Sequence, residues 1–531
     1  MKKEVNLRKY HAPVWNEPII MEIKRKGERG ILVPEAEEEI RKKIGDAESY
    51  ISANMRRREF PRLPELAQPQ VVRHYIHLTQ EILGMDETID ISSGTCTMKY
   101  SPKVNEILAG MPQMNDVHPS QDEDTIQGIL EIMYKLDLIC REISGMDYFT
   151  FQPGGGAQAI YTNACLLRAY YESKGELAQR DEVITTIFSH PVDAGSPKTA
   201  GFKVISLMPD TNNGYPALDS LKSVCSERTA GLFITNPEDT GIFNPRIQEF
   251  VNAVHEVGGL CFYDQANLNG IMGIARAKEA GFDACHFNLH KTFSSPHGSS
   301  GPACGAYGVK EELAKFLPVP LVTFNGEKYH LEYDRPFSIG KIREFLGNVE
   351  VVLKSYAWIM SLGAEGLLEA AHVSVINNNY LEKLLLAIPG ITKPYAEGKR
   401  RLDQVRYSLE KLKKDTGVGT IDVMNRMVDF GIINYHPSHV PWIVPEPMTP
   451  EPCESYTKED IEYWAAVIRQ ISKEAYSNPE IVKTAPHNAS SHKIINTEEA
   501  YDENPQLWAL TWDIYLKKKR LSEEKVKKIN K

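Results

Sequence analysis

The strongest constraint on the fold is a regular alternation of strand-like and helix-like segments between residues 148 and 310. Short apolar runs that end in a polar residue alternate with longer segments of helical periodicity. Strands are predicted at 148–152, 183–188, 203–207, 230–235, 259–263 and 284–287, and helices at 158–172, 218–226 and 247–257. This order is typical of an α/β fold with a mainly parallel sheet and helices on both faces.

Several polar residues follow these runs at the point where each predicted strand ends. The carboxyl ends of parallel strands meet at one edge of the sheet, and ligands bind beyond that edge. The residues expected there are Gly154 to Gly156, His190, Asn236, Asp264 and Lys291. The sequence therefore predicts that these residues contribute to one site.

Lys291 and Asp264 are the two residues whose chemistry fits a single cofactor. Lys291 lies between a strand-like run and a loop of small residues, in Asn288-Leu289-His290-Lys291-Thr292-Phe293. A lysine can form an imine with pyridoxal phosphate, and an acid can pair with the protonated pyridine nitrogen of that cofactor. Taken alone, however, the lysine is also typical of a solvated surface charge, and the acid of a strand end.

The other elements of the expected site are less specific when each is considered by itself. Gly154-Gly155-Gly156, between a strand and a helix, could direct backbone N–H groups at a phosphate, although three glycines often form only a turn. His190 could stack on an aromatic cofactor or could be an ordinary buried histidine. His290 and His297, close to Lys291, could carry protons near neutral pH. The order of these elements along one α/β sheet is more specific than any of them.

Composition and missing motifs argue against several other classes of protein. No GxGxxG motif with a ribose-binding acid and no Walker lysine is present, so a dinucleotide site or a P-loop is not expected. The eight cysteines form no CxxC pair, which argues against zinc and cluster sites. A net charge of -10 argues against a general nucleic-acid binder. No signal-peptide pattern and no apolar run of membrane-spanning length is recognised, so a cytoplasmic protein is expected.

The whole chain of 531 residues is expected to contain more than one domain. The predicted organisation is an N-terminal arm with helices at 1–120, a large α/β domain at 121–330, long helices followed by a smaller C-terminal α+β domain at 331–490, and a charged tail at 491–531. The long helices are predicted at 339–361 and 367–386, and the tail as helical or disordered.

Motifs along most of the chain resemble those of the glycine-cleavage P-protein family, and most closely subunit 2 of its two-subunit form. The matching stretches include Cys96-Thr97-Met98-Lys99-Tyr100, His118-Pro119, Thr235-Asn236-Pro237, Tyr263-Asp264 with Ala266-Asn267-Leu268-Asn269, Asn288-Leu289-His290-Lys291-Thr292-Phe293 and Tyr333-Asp334-Arg335-Pro336. The resemblance implies a pyridoxal-phosphate enzyme of fold-type I. It implies Lys291 as the Schiff-base lysine, Asp264 as the pyridinium partner and His190 as the ring-stacking residue.

The resemblance also implies a wider set of site residues. Those expected to take part in catalysis are Lys291, His190 and His297, and those expected to contact the cofactor are Gly155, Gly156, Ala157, His190, Asp264, Asn267, His290 and Lys291. On the substrate side the candidates are Thr95, Cys96, Lys99 and His118. Lys99, Arg335 and Arg343 are candidates for binding the substrate carboxylate, although each is also typical of a structural charge.

The implied activity is that of a glycine dehydrogenase (aminomethyl-transferring, decarboxylating), an oxidoreductase of the glycine cleavage system. Such an enzyme decarboxylates glycine and transfers the remaining aminomethyl group to the lipoyl arm of H-protein. A partner resembling subunit 1 is then expected, in an α2β2 assembly. The alternatives are a related enzyme that acts on another small amino acid or amine, and a non-catalytic partner subunit. The presence of both Lys291 and Asp264 argues against the last of these.

The sequence departs from the family pattern at four places around the expected site. Residues 294–301 replace a glycine-rich loop, and Pro191-Val192-Asp193 follows His190 where the family has Gly-Thr/Ser-Asn. Ala159-Ile160 replaces a Gly-Glu pair, and Glu451-Pro452-Cys453-Glu454 replaces Glu-Pro-Thr-Glu. A changed substrate would first show at these positions.

Overall fold

The computed structural model describes residues 5–59, 61–84, 87–91, 99–295, 303–433, 438–489 and 512–529. The chain forms two compact units, of which the larger comprises Met1–Arg8 with Thr88–Ala485 and the smaller Lys9–Glu87 with Pro486–Lys531. Three site candidates, Thr95, Cys96 and His297, lie outside the described residues. The division into four segments that the sequence suggests stays a prediction.

The helices and strands of the described residues follow in chain order. The helices are α1 (Glu38–Ile44), α2 (Gln68–Gln80), α3 (Lys103–Ala109), α4 (Pro112–Asn115), α5 (Gln127–Ser144), α6 (Gly156–Lys174), α7 (Pro191–Thr199), α8 (Leu218–Val224), α9 (Ile247–His255), α10 (Val349–Leu385), α11 (Glu410–Thr416), α12 (Thr420–Val428), α13 (Lys458–Ser477), α14 (Glu480–Lys483) and α15 (Trp512–Ile529). The strands are β1 (Tyr148–Thr150), β2 (Glu182–Thr186), β3 (Lys203–Leu207), β4 (Thr229–Thr235), β5 (Leu260–Gln265), β6 (Ala284–Asn288), β7 (Gly305–Val309), β8 (Leu321–Phe324), β9 (Tyr329–Glu332), β10 (Tyr407–Ser408) and β11 (Pro447–Met448).

The larger unit is built on a sheet of seven strands within the described residues, in the order β1-β7-β6-β5-β4-β2-β3. Strands β3, β2, β4, β5 and β6 are parallel, whereas β7 is antiparallel to both β6 and β1. The mainly parallel sheet and the α/β class are therefore confirmed. Strand β7 was not predicted, because its sequence Gly-Ala-Tyr-Gly-Val carries two glycines, which weaken a strand signal.

Both faces of this sheet are covered, as the continuous apolar character of its central strands requires. Side chains alternate between the faces with the period of a strand. Phe233 and Phe262 pack with residues of α6 on one face. Leu232 and Tyr263 join a second core, to which α5, α9 and α10 contribute. The sheet is thus the middle layer of three, and its carboxyl edge is left for the site.

Helix α10 differs from the two helices predicted at 339–361 and 367–386. It begins at Val349, where the Asn348 side chain accepts a hydrogen bond from the N–H of Val351. The earlier predicted start is wrong, since residues 339–347 contain Gly340 and Gly347 at positive φ. At Gly363 the backbone leaves helical geometry, so a break does divide two helical segments.

By length and composition alone, α10 is the one helix among the described residues that could cross a membrane. Core helices of water-soluble proteins share this property, and α10 contacts α3, α5 and α13 within the larger unit. No apolar run of membrane-spanning length is expected from the sequence, but α10 reaches that length and composition.

The C-terminal part of the larger unit has its own apolar core. The second half of α10 packs with α12 and α13 around Trp464, which is fully buried. Strands β10 and β11 pair antiparallel beside them. This arrangement of helices and a short sheet agrees with the α+β character predicted for the part of residues 331–490 that follows the long helices.

The smaller unit contains α1, α2 and α15. Within it, the carboxylate of Glu17 contacts the ring nitrogens of His74 and His77, each at 2.8 Å. Trp15 stacks on His77 with 3.9 Å between the ring centroids. The tail, which the sequence leaves as helical or disordered, is helical over Trp512–Ile529.

Candidate active site

Asp264 lies near the carboxyl end of β5, in the centre of the sheet. Its side chain is 2% exposed, and it accepts a hydrogen bond of 2.9 Å from the N–H of Ala266. Burial by itself would raise the pKa of this carboxyl. The nearby His286 and His190, together with the N–H of Ala266, outweigh burial and hold the pKa of Asp264 below its ordinary value. Asp264 is therefore a buried carboxylate.

His286 is the neighbour of Asp264 on the adjoining strand and was not singled out by the sequence analysis. The two residues are register partners between β5 and β6, and the ring stacks on Phe262 at 5.6 Å with an interplanar angle of 7°. Burial, with a further contribution from Lys291, lowers the pKa of His286 to about 4. The ring is thus neutral at physiological pH. The sequence could have placed His286 beside Asp264 only if the register between the two strands were already known.

Lys291 lies just beyond the end of β6 and is 5% exposed. Its N–H donates to the carbonyl of Asn288 at 3.0 Å, and its own carbonyl accepts from Ser294 at 3.1 Å. Thr292 accepts a hydrogen bond of 2.8 Å from the N–H of Leu268, which joins this turn to the loop after β5. Lys291 is close enough to His190 and His286 to lower the pKa of each.

His190 caps a helix that the sequence analysis did not predict. Strand β2 ends at Thr186, and His190 precedes α7, with Pro191 in its first turn. The Nδ1 atom accepts a hydrogen bond of 3.2 Å from the N–H of Val192, so a proton on the neutral ring is carried by Nε2. Burial lowers the pKa of His190, although Asp264 opposes the shift. His190 is therefore a neutral, oriented imidazole beside Asp264.

The glycine loop lies at the N-terminus of α6, which begins at Gly156. A Cβ atom at Gly154 would overlap the guanidinium of Arg343, and one at Gly156 would lie 3.2 Å from His286 Nε2. The N–H of Gly154 donates to the side chain of Gln158 at 2.6 Å. The loop thus places a helix N-terminus beside a guanidinium, and this combination suits an anion such as a phosphate.

Arg343 therefore stands at the glycine loop, where its Nε atom also lies 3.9 Å from the carboxylate of Glu344. The other two cationic candidates have closer partners. Lys99 forms an ion pair of 2.8 Å with Glu454, and its side chain is 1% exposed. Arg335 donates to Glu332 and to the carbonyl of Ala314. The assignment of any of them to the substrate carboxylate stays a prediction.

The remaining candidates have varied surroundings. The amide of Asn267 donates at 2.6 Å to Glu451, a buried acid that also accepts from Asn269 at 2.8 Å. His118 is exposed, and its Nδ1 atom accepts from the N–H of Ser120. His290 is buried and accepts a hydrogen bond of 3.4 Å from the N–H of Cys304. Ala157 is exposed, in the first turn of α6.

Two of the serines that replace the family's glycine-rich loop have structural roles. Ser294 has a φ of +62° and donates from its hydroxyl to the carbonyl of Tyr100. Ser295 donates to the carbonyl of Val351 at 3.0 Å and contacts the hydroxyl of Ser355 at 2.8 Å. Both hydroxyls therefore fasten the lysine turn to neighbouring segments. Ser299 and Ser300 lie outside the described residues.

A mainly parallel sheet with a buried lysine, a buried acid and a glycine loop at its carboxyl edge defines the fold-type I class of α/β enzymes. The glycine decarboxylase (P-protein) of the glycine cleavage system, solved in inhibitor-bound form, has this fold with a TM-score of 0.69. It is 19% identical, and the match covers 83% of this chain and 99% of that one. A cysteine desulfurase from Thermococcus onnurineus matches with a TM-score of 0.58 at 15% identity, over 73% of this chain and 95% of that one.

Sequence comparison identifies the family. A family profile described as the C-terminal domain of glycine dehydrogenase matches residues 370–492. The chain is 42% identical over 517 residues to the probable glycine dehydrogenase (decarboxylating) subunit 2 of Pyrococcus horikoshii. This match covers 97% of this chain and 99% of the relative. The chain belongs to the family of glycine dehydrogenase (decarboxylating) subunit 2.

Proposed function

We propose that this chain is the pyridoxal-phosphate-carrying subunit of a glycine dehydrogenase (decarboxylating), with Lys291 as the lysine that holds the cofactor. The observation that carries the proposal is that Lys291 and Asp264 are both buried at the carboxyl edge of one sheet, beside the glycine loop. A buried lysine near a buried carboxylate is what the cofactor's carbonyl carbon and ring nitrogen need.

The residues around this edge fit each part of that cofactor. Arg343 and the N-terminus of α6 suit the phosphate, and the carboxylate of Asp264 suits a protonated ring nitrogen. Two buried polar atoms nearby lack a hydrogen-bond partner in the described part of the chain, namely the Nδ1 atom of His286 and the Oδ1 atom of Asn288. Such atoms favour a site that is completed by a polar ligand.

When bound, the cofactor supplies an electron sink for the charge left on the α-carbon of the amino acid as CO2 departs. Asp264 would hold a proton at the ring nitrogen, because its carboxylate is kept ionised in a buried site. His190 would cover the ring, since its orientation is fixed by the hydrogen bond from Val192. The burial of Lys291 excludes bulk water from its amino group.

The proposal extends to partners. The relatives are named as a subunit 2, which supports a second subunit, and we propose an α2β2 assembly with a chain that resembles subunit 1. We further propose that the lipoyl arm of H-protein accepts the aminomethyl group, and that the enzyme acts in the cytoplasm.

Two measurements test the proposal in order. Purified protein should show the visible absorption of bound pyridoxal phosphate, and Lys291→Ala should abolish it, whereas Lys328→Ala at an exposed ion pair should not. A protein that binds no cofactor would overturn the proposal. Glycine-dependent exchange of labelled CO2, with subunit 1 and lipoylated H-protein present, then tests the substrate. Exchange with another small amino acid, but not with glycine, would support the related enzyme instead.

A further inference from the structure

A second acid lies beside Asp264, at a position where the family pattern has an asparagine. Asp193 is in the first turn of α7, three residues after His190, and its side chain is fully buried. Its backbone N–H donates to the carbonyl of His190 at 2.8 Å. Its Oδ2 atom accepts a hydrogen bond of 3.4 Å from the hydroxyl of Thr235, which is the register partner of Asp264 between β4 and β5.

The two carboxyl groups are close enough to interact, since Asp193 contacts the register partner of Asp264 and both side chains are buried. Burial and the charge of Asp264 raise the pKa of Asp193 well above its ordinary value. Two adjacent carboxylates cannot both stay ionised in such a place, so one of them keeps a proton.

The surroundings decide which carboxyl keeps that proton. Asp264 faces an N–H donor at 2.9 Å and the imidazoles of His190 and His286. Asp193 has weaker donors, namely the hydroxyl of Thr235 at 3.4 Å and the backbone of His190, and within the described residues its Oδ1 atom has no hydrogen-bond partner. A proton on Asp193 satisfies this atom and gives Asp264 a further hydrogen bond.

We propose that Asp193 is a permanently protonated acid that donates a hydrogen bond to Asp264 and so holds Asp264 as the anionic partner of the cofactor. Asp193 is then a positioning residue, since it acts through Asp264. The titratable groups that face the pair are His190, which precedes α7, and His286 from β6. Lys291, in the turn after β6, is close to both of these histidines. The part of this inference that concerns the cofactor rests on the proposed function, whereas the location of the proton does not.

The location of the proton is tested on cofactor-free protein. The infrared spectrum at pH 7 should contain the carbonyl stretch of a protonated carboxyl that is lost in Asp193→Asn, which retains a donor but has no acid proton. Glu238, a second protonated acid, serves as the control, because Glu238→Gln should remove a separate band. Retention of every carboxyl band in Asp193→Asn would overturn the proposal.

The pH dependence of stability gives a second readout from the same protein. The folded chain keeps a proton on Asp193 that the unfolded chain releases near pH 4, so this group makes stability fall as the pH rises above 4. Asp193→Asn should therefore gain melting temperature relative to the parent protein as the pH rises. A difference that does not change between pH 4 and pH 9 would contradict the proposal.

The affinity for pyridoxal phosphate should differ between Asp193→Asn and Asp193→Leu. The leucine removes the donor, so we expect it to raise the dissociation constant of pyridoxal phosphate roughly tenfold or more. The asparagine should restore binding to about the parental value. If the parent binds no cofactor, the proposed function fails, but the infrared experiment still decides the protonation of Asp193.

Discussion

His286 faces Asp264 from the paired position on the next strand, and its Nε2 atom lies 3.4 Å from the Oδ1 atom of the carboxylate. Because the pKa of His286 is about 4, this contact joins a neutral ring to a charged acid at physiological pH. The negative charge of Asp264 is therefore not cancelled by a resident cation on this side. It remains available to a protonated ligand.

Replacement of His286 by phenylalanine should reduce the loss of folding stability that occurs as the pH falls from 6.5 to 4. The unfolded chain takes up a proton at His286 near pH 6.5, but the folded chain does so only near pH 4, so stability is lost as the pH falls through this interval. The loss is up to about 1.4 kcal/mol per pH unit. Urea unfolding at several pH values measures it, with His118→Phe at an exposed position as the control. Equal slopes in the parent and in His286→Phe would refute the assignment.

Arg343→Met should weaken the binding of pyridoxal phosphate but leave the binding of pyridoxal, which has no phosphate, nearly unchanged. The reason is that the guanidinium lies against Gly154, at the N-terminus of α6. We expect a roughly tenfold increase in the dissociation constant, measured by absorbance titration. Arg335→Met is the matched control, since its guanidinium binds Glu332. Equal losses for both ligands would show that Arg343 does not contact a phosphate.

Glu238→Gln should stabilise the protein at alkaline pH. Glu238 is buried, accepts a hydrogen bond from Thr186, and has a pKa raised by burial to about 8. Its folded pKa exceeds the unfolded value of 4.5, so its contribution to stability falls as the pH rises from 4.5 to 8. The glutamine should abolish a slope of up to about 1.4 kcal/mol per pH unit. Denaturant unfolding checks this, with Glu249→Gln at an exposed ion pair as the control.

Lys99→Met should destabilise the chain by about 3 kcal/mol, because it leaves the carboxylate of Glu454 without its cation in a mostly buried place. The double variant Lys99→Met, Glu454→Gln should recover much of this loss in urea unfolding. If Lys99 instead contacts the substrate, the double variant should regain stability but retain a raised KM for glycine. A normal KM in the double variant would show that Lys99 has a structural role and does not contact the substrate.

The parts of the fold that the sequence predicted well are those whose signal is local. Strand β3 agrees with its predicted bounds, because Gly201 shortly before it and Pro209 shortly after it both interrupt a strand. Helix α7 was missed because Gly195 and Pro197 lie within it and oppose a helical pattern. The positions of Lys291 and Asp264 at the sheet edge could be predicted, because Asp264 lies near the end of a strand and Lys291 lies just beyond one. Asp193 and His286 could not, because their meeting with Asp264 depends on packing between separate segments.

Because β7 is antiparallel to β6, the sequence of the connection between them, which contains the lysine turn, can diverge. Asn288 and Gly305 are register partners, so the chain leaves the sheet and re-enters it at adjacent positions. Both ends of this connection are fixed by the sheet, so its length and sequence can change without moving the strands, provided that the contacts made by Ser294 and Ser295 are kept. The sequence that follows Lys291 can therefore diverge during evolution while Lys291 keeps its position at the edge of the sheet. The serines found there are the kind of change that this connection tolerates.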